Sequence, residues 1–192
     1  LWVAGVKVAV VAVRQLAHFG TAVALCSLCI ANIAFAQAGP AASDRLVVSG
    51  NVEKSLTLTV ADLQRLPVKR IDDVRQVREQ GASTKDAEHT QRYTGVLLRD
   101  VVSAAKPTER SRNDLRRSAV VVTASDGYQA VFSWAELFLS PNGDGALVVF
   151  ERDGAPLPAD EGPLAVVSLR DSKRGPRHVK WLTRIDVRQI GE

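Results

Sequence analysis

Residues 162–187 read GPLAVVSLRDSKRGPRHVKWLTRIDV. Two runs rich in Val, Leu and Ile, PLAVVSLRD (163–171) and HVKWLTRIDVRQI (178–190), have the length and composition of strands. Between and into them fall five cations in eleven residues: Arg170, Lys173, Arg174, Arg177 and Lys180, with His178 beside them and Asp171 as the one acid. Gly175-Pro176 breaks the run into a loop followed by a strand. Guanidinium and ammonium groups converging from a loop and a strand end suit an anion such as phosphate, for which arginine offers a two-pronged donor. A solvated basic loop has the same composition, and both readings stand on the residues alone.

Upstream, the chain divides sharply. Residues 16–36, LAHFGTAVALCSLCIANIAFA, hold no Lys, Arg, Asp or Glu, and only Lys7 and Arg14 carry charge before them. Ala34 and Ala36 occupy small-x-small positions before Gln37. A basic start, an apolar middle and this ending predict a secretory signal peptide over 1–36, with retention as a membrane anchor as the alternative. A flexible tail over 37–44, within the stretch AQAGPAAS and the residue after it, is expected to lead into one domain over 45–190. Cys26 and Cys29, the only cysteines, form a C-x-x-C inside the apolar stretch, where they read as apolar filler. The remainder, 37–192, then has no thiol, is periplasmic or secreted, and keeps no stable membrane anchor. Its charge is too mildly basic to name nucleic acid as a partner.

The domain reads as α+β, a mixed and mainly antiparallel β core with a few short helices. RLVVSG (45–50) and SLTLTV (55–60) predict a hairpin around NVEK. Thr59 is placed to cap a short helix that ends before Pro67. IDDVRQVRE (71–79) reads as a half-exposed strand, and GASTKDAEHT (81–90) as a polar loop. YTGV (93–96) reads as a turn into a helix over about 97–105, with Leu97, Val101, Val102 and Ala105 on one face. SAVVVTASDGYQAVFSWAELF (118–138) predicts strand, turn, strand and helix. Asp126-Gly127 has the signature of a type I′ turn, and Ser133-x-x-Glu136 that of a capping box. SPNGDG (140–145) reads as a turn, and ALVVFERDGAPLP as a strand entering a Gly-Pro turn.

The closing stretch resembles the C-terminal part of the molybdopterin-binding domain of the sulfite oxidase family, in which a basic loop leads into a V-K-W strand. Four further segments resemble that domain in the same order: LTLTVADLQRLP (56–67), YTGVLLRDVV (93–102), VVVTASDGYQAVFSWAEL (120–137) and VVFERDGAPLPADEGP (148–163). Each motif is weak alone, and together they span nearly all of 45–188. The resemblance implies that the pterin's phosphate tail lies against the basic loop, making Arg174, Arg177, His178 and Lys180 candidate ligands, with Arg170 and Lys173 beside them. It also implies that Tyr93, Asp126 and Tyr128 edge the cofactor cavity. Trp181 reads as a core residue.

The redox members of that family hold molybdenum through a cysteine upstream of the aromatic-G-V-P-L motif. The matching region, residues 68–98, has none, and molybdenum favours soft sulfur donors. Tyr93 and Leu97 stand where the family more often has Trp and Pro. The leader has no Arg-Arg pair, unlike the twin-arginine signals of exported molybdenum enzymes. His89 and His178 are too few for a His-rich metal site, and no nucleophile or phosphate-loop motif is present. The expectation is a binding module for an anionic small molecule or a periplasmic protein, with no metal and no cofactor and with catalytic residues unassigned. The alternative is an oxidoreductase domain that still holds molybdopterin through the basic loop. A third reading puts an acidic partner on TERSRNDLRR (108–117).

Overall fold

The computed structural model describes residues 44–77, 87–109, 113–173 and 175–190, with the backbone alone for 74–77 and 87–89. The expected leader with Cys26 and Cys29, most of the tail, residues 81–86 of the polar loop and Arg174 lie outside the described residues.

Ten strands and three short helices follow in order: β1 (Arg45–Gly50), β2 (Leu56–Thr59), α1 (Val60–Leu63), β3 (Val68–Val77), β4 (Ala87–Leu97), α2 (Leu98–Ala104), β5 (Ser118–Ala124), β6 (Gln129–Ser133), α3 (Trp134–Phe138), β7 (Ala146–Arg152), β8 (Ala155–Pro156), β9 (Ala165–Ser168) and β10 (Leu182–Gln189). One sheet runs β2-β1-β10-β5-β6, and the second runs β3-β4-β7-β8 with β9 also on β7. Among the described strands only β1 and β10 pair in parallel. The mixed, mainly antiparallel α+β expectation describes this architecture.

Burial follows the hydrophobic pattern. β5 (SAVVVTA) and β7 (ALVVFER) are continuous apolar runs and sit inside their sheets with neighbours on both sides. β6 alternates exposed and buried residues, as a strand with one wet face should. Leu46, Val48, Val120, Val122, Phe132, Val148 and Ile185 belong to the main core. A smaller cluster of Tyr93, Leu97, Leu147, Val149, Leu157, Ala165 and Val167 takes the alternate residues of β4, β7 and β9. Gly50 is required where β1 ends beside β10: its φ is +93°, and a Cβ would stand 2.2 Å from the Val187 carbonyl oxygen.

The caps are partly as read. Thr59 and Asp62 form a reciprocal capping box on α1. Ser133 accepts from the Glu136 N–H, but the Glu136 carboxylate goes to Arg177 rather than back to the cap. Of the three Asp-Gly pairs, the one at 126–127 is not a type I′ turn. Gly127 N–H bonds the Ala124 carbonyl and only Gly127 has positive φ, so Ser125-Asp126-Gly127 is a three-residue loop with glycine in the left-handed position. Asp153-Gly154 has positive φ at both residues and joins β7 to β8 as the primed turn.

Three boundaries also differ from the sequence reading. Ala87–Thr90 belong to β4, because their backbone completes the β3 ladder out to Val77↔Ala87, and that pairing outweighs their polar side-chain composition. YTGV is strand, paired with β7 through a bulge at Thr94/Gly95, so Leu97 ends β4 and the buried helix face is Leu98, Val101 and Val102. Residues 178–181 are not part of β10. Val179 bridges to Val166 in the second sheet, Trp181 takes φ +54°, and Leu182 begins pairing with β5 in the first. The basic stretch therefore crosses from one sheet to the other.

Candidate functional site

That crossover separates the sequence-nominated cations. Arg177 and His178 are consecutive, yet they line different cavities. Asn142, Arg170, Asp171, Ser172, Lys173, Pro176 and Arg177 surround a concavity of about 610 Å³. Ala124, Asp126, Tyr128, His178, Lys180 and Trp181 line another of about 380 Å³. Both volumes fall within the range of small-molecule pockets. The Tyr128 hydroxyl donates to the Pro176 carbonyl at 2.6 Å and ties the β5–β6 turn to the loop between them.

In the first cavity Arg177 is a structural latch. Its Nε donates to Asp171 Oδ2 at 2.6 Å, its Nη2 to Asp171 Oδ1, and its Nη1 lies 2.7 Å from Glu136 Oε1. The guanidinium carbon sits 4.5 Å from the centre of the Phe132 ring. Asp171 and then Glu136 hold the Arg177 proton even more firmly than usual, against the effect of burial. The Arg177 guanidinium in turn keeps the Asp171 carboxyl below the usual carboxylate range, with burial opposing and Ser168 adding to the effect. Two carboxylates thus neutralise Arg177. Arg170 and Lys173 are exposed and have no ion-pair partner among the described residues. With the Ser172 hydroxyl and the Asn142 amide on the same concavity, they are its free anion donors.

The second cavity is balanced in charge and ordered by backbone bonds. Trp181 N–H donates to the Glu161 carbonyl at 2.8 Å, its indole N–H to the Asp160 carbonyl at 3.2 Å, and its own carbonyl accepts from Ser125 N–H at 2.9 Å. Gly162, at φ +80°, lies flat against this tryptophan, and a Cβ there would come within 2.8 Å of its ring. Lys180 Nζ donates to Asp160 Oδ2 at 2.8 Å and draws that carboxyl below its ordinary range. Beneath His178 lies Glu161, 4% exposed, whose Oε1 accepts from Arg152 Nη1 at 2.7 Å.

Of the nominated cavity-edge residues, Asp126 and Tyr128 line the second cavity. Tyr93 is fully buried in the smaller core cluster and is not among its lining residues. Sequence reading missed Glu161, Arg152 and Asn142, and took Trp181 as core although it lines a cavity. Nothing in the composition around Glu161 sets it apart from exposed acids; only the crossover buries it.

Molybdopterin would ask for two things of these residues. Its phosphate needs cations, and Arg170, Lys173 and Ser172 supply donors for it. Its metal, in the redox relatives the sequence resembles, takes a protein thiolate. Cys26 and Cys29 are the only cysteines and both precede the described residues. Among the described residues no group of three or more His, Cys, Asp or Glu could hold a metal ion. The anionic organic part fits this donor set; a thiolate-bound metal does not.

Two sheets meeting at a basic crossover, with a cavity on each side of it, define a small α+β domain with two candidate binding cavities. The chain belongs to the oxidoreductase molybdopterin-binding domain family, whose pattern matches residues 36–190. It is 30% identical over 157 residues to the NADPH nitrate reductase of Fusarium oxysporum, covering 74% of this chain and 17% of that enzyme's length. It shares its fold with the sulfane dehydrogenase SoxCD of Paracoccus pantotrophus, with a TM-score of 0.56 and 21% identity over 77% of this chain and 39% of that one.

Proposed function

We propose that this domain binds an anionic ligand of the phosphate-ester class through Arg170 and Lys173, and does so after export, without molybdenum redox chemistry. The observation that carries the reading is the pair of cations without ion pairs among the described residues, on one concavity with Ser172 and Asn142, beside an Arg177 already held by two carboxylates. The location of both cysteines before residue 30, inside the apolar leader-like stretch, supports the absence of a thiolate-held metal. A periplasmic protein presenting a phosphate or a carboxylate cluster would meet the same donors.

Family membership favours a second reading, a molybdopterin-holding oxidoreductase domain. Bound there, the cofactor would supply a dithiolene-held metal able to exchange electrons. This chain's part would be to hold the phosphate with Arg170, Lys173 and Ser172. Native protein, denatured and oxidised, is assayed for fluorescent pterin, and its molybdenum is measured by mass spectrometry. The proposal expects no stoichiometric molybdenum. Stoichiometric metal with oxidase- or reductase-type turnover would overturn it in favour of the second reading.

A further inference from the structure

The chain of charges under the second cavity has no part in the reading above. Glu161 is buried, and an ionised carboxylate out of water needs partners on both oxygens. Arg152 satisfies Oε1. Among the described residues only His178 Nε2 faces Oε2, at 3.5 Å, and both atoms are sealed from solvent without a hydrogen-bond partner there. That distance is at the edge of bonding reach, so a small shift of the ring closes it if Nε2 carries the proton. An anionic oxygen opposite Nε2 selects that tautomer. The other ring nitrogen, Nδ1, has no partner among the described residues, and His178 lines the cavity.

The surrounding charges make the state of Nδ1 decisive. Asp126 and Lys180 line the cavity with opposite charges. Arg152 offsets Glu161 behind it, and Asp160 bonds Lys180. The Tyr128 hydroxyl is committed to the Pro176 carbonyl. With a neutral imidazole the lining is neutral and Nδ1 offers a lone pair; with a second proton the lining gains one positive charge and Nδ1 becomes a donor.

We infer that Glu161 is a positioning residue that fixes His178 with Nε2–H on the carboxylate and Nδ1 toward the cavity, so that the second cavity takes a tetrahedral oxyanion only when Nδ1 is protonated. This deepens the anion-binding reading by giving the second cavity its own, proton-linked ligand chemistry. Its residues differ from those of the first cavity, so the two can fail separately.

The test uses the full chain and inorganic sulfate, which stays a dianion across the histidine range. Long-range proton–nitrogen NMR reports the His178 tautomer, and titrations at about pH 5.5 and about pH 8 report binding at its ring. The expected result is an Nε2–H tautomer at the higher pH, and sulfate binding at His178 about tenfold tighter at the lower pH. Binding at Arg170 and Lys173 should change little between the two. Glu161→Gln, close in size, should mix the tautomers and flatten the pH dependence at His178 while the first cavity still binds. Arg170→Ala with Lys173→Ala should abolish only the pH-independent component. A neutral His178 protonated at Nδ1 would overturn the inference, as would equal sulfate binding there at both pH values. The wild-type tautomer decides the matter even if Glu161→Gln does not fold. Loss of first-cavity binding alone would count against the proposed function and leave this inference standing.

Discussion

Arg177 and Lys173 lie four positions apart on one loop, line one cavity and carry the same charge, yet they differ in what they do. Arg177 is held by Asp171, Glu136 and the face of Phe132, so it fastens the loop to α3 and β6. Lys173 is exposed with no ion-pair partner among the described residues. A cation enclosed by carboxylates stabilises the fold and is already neutralised toward a ligand. A cation left open costs the fold nothing and is available to a ligand. Composition alone cannot tell them apart; the position of two carboxylates does.

The sharpest way to break this contrast is Arg177→Met. It leaves Asp171 and Glu136 partly buried without their partner, and uncompensated buried charge is costly. After allowing for the solvent that still reaches all three groups, the loss should be about 2–3 kcal/mol. For a domain of this size that is roughly a 5–10 °C fall in Tm by calorimetry. A variant as stable as the parent, but unable to bind anions, would reverse the assignment and make Arg177 a ligand.

The same pair fixes a pH dependence. The Asp171 carboxyl is held below its unfolded range, first by Arg177, so the folded state binds its proton less readily than the unfolded state does. Its contribution is therefore complete above the unfolded carboxylate pKa of about 3.9 and is lost as pH falls through the lower folded value. Denaturant midpoints measured below about pH 4 should fall more steeply in the parent than in Arg177→Met. Identical acid limbs would show that the bond does not persist in solution.

A smaller effect is expected at Gly162→Ala. Its φ of +80° is strained for alanine, and the added Cβ meets the Trp181 ring at 2.8 Å. A cost of about 1–2 kcal/mol is expected from the backbone conformation together with the crowding. Because Trp181 lines the second cavity, its fluorescence should shift as well, whereas binding at Arg170 and Lys173 should be unchanged. A fluorescence spectrum equal to the parent's would show that this glycine does not seat the ring.

How far the fold and the site were legible follows from the same physics. β1, β2, β5, β6 and β7 stand out because apolar periodicity and continuous apolar runs are local signals. Thr59 and Ser133 were legible as caps because a cap is written within four residues. Polar Ala87–Thr90 gave no strand signal, because their pairing is set by β3 rather than by their own side chains. The Asp-Gly pairs at 126 and 153 look alike in sequence and turn differently, since strand register decides which turn fits. At the site, the basic cluster was visible as charge. Its division into a latch and a free pair was not, because Glu136 lies on a distant helix and Glu161 beyond another strand. The left-handed Trp181 that sends the chain from one sheet to the other carries no composition signal at all.

The smallest expected stability change, and the most direct measure of function, is Lys173→Ala combined with Arg170→Met. Lys173 is exposed and has no ion-pair partner among the described residues, so its removal should alter stability by no more than about 0.5 kcal/mol. Arg170 needs one qualification of chemistry rather than charge: its Cγ lies where a Cβ on Gly145 would stand, at 2.6 Å, so its aliphatic stem packs on that glycine. Arg170→Met keeps the stem and removes the charge. The pair Arg170→Met and Lys173→Ala should therefore melt with the parent and lose anion binding by a factor of ten or more, which is about 1.4 kcal/mol of binding free energy. The parent's affinity should also fall as salt is raised, because exposed charges are screened over about 10 Å at 0.1 M ionic strength. Isothermal titration at two salt concentrations measures both. An unchanged affinity in the charge-deleted pair, with Arg177→Met losing binding at full fold, would move the ligand from the open cations to the enclosed one.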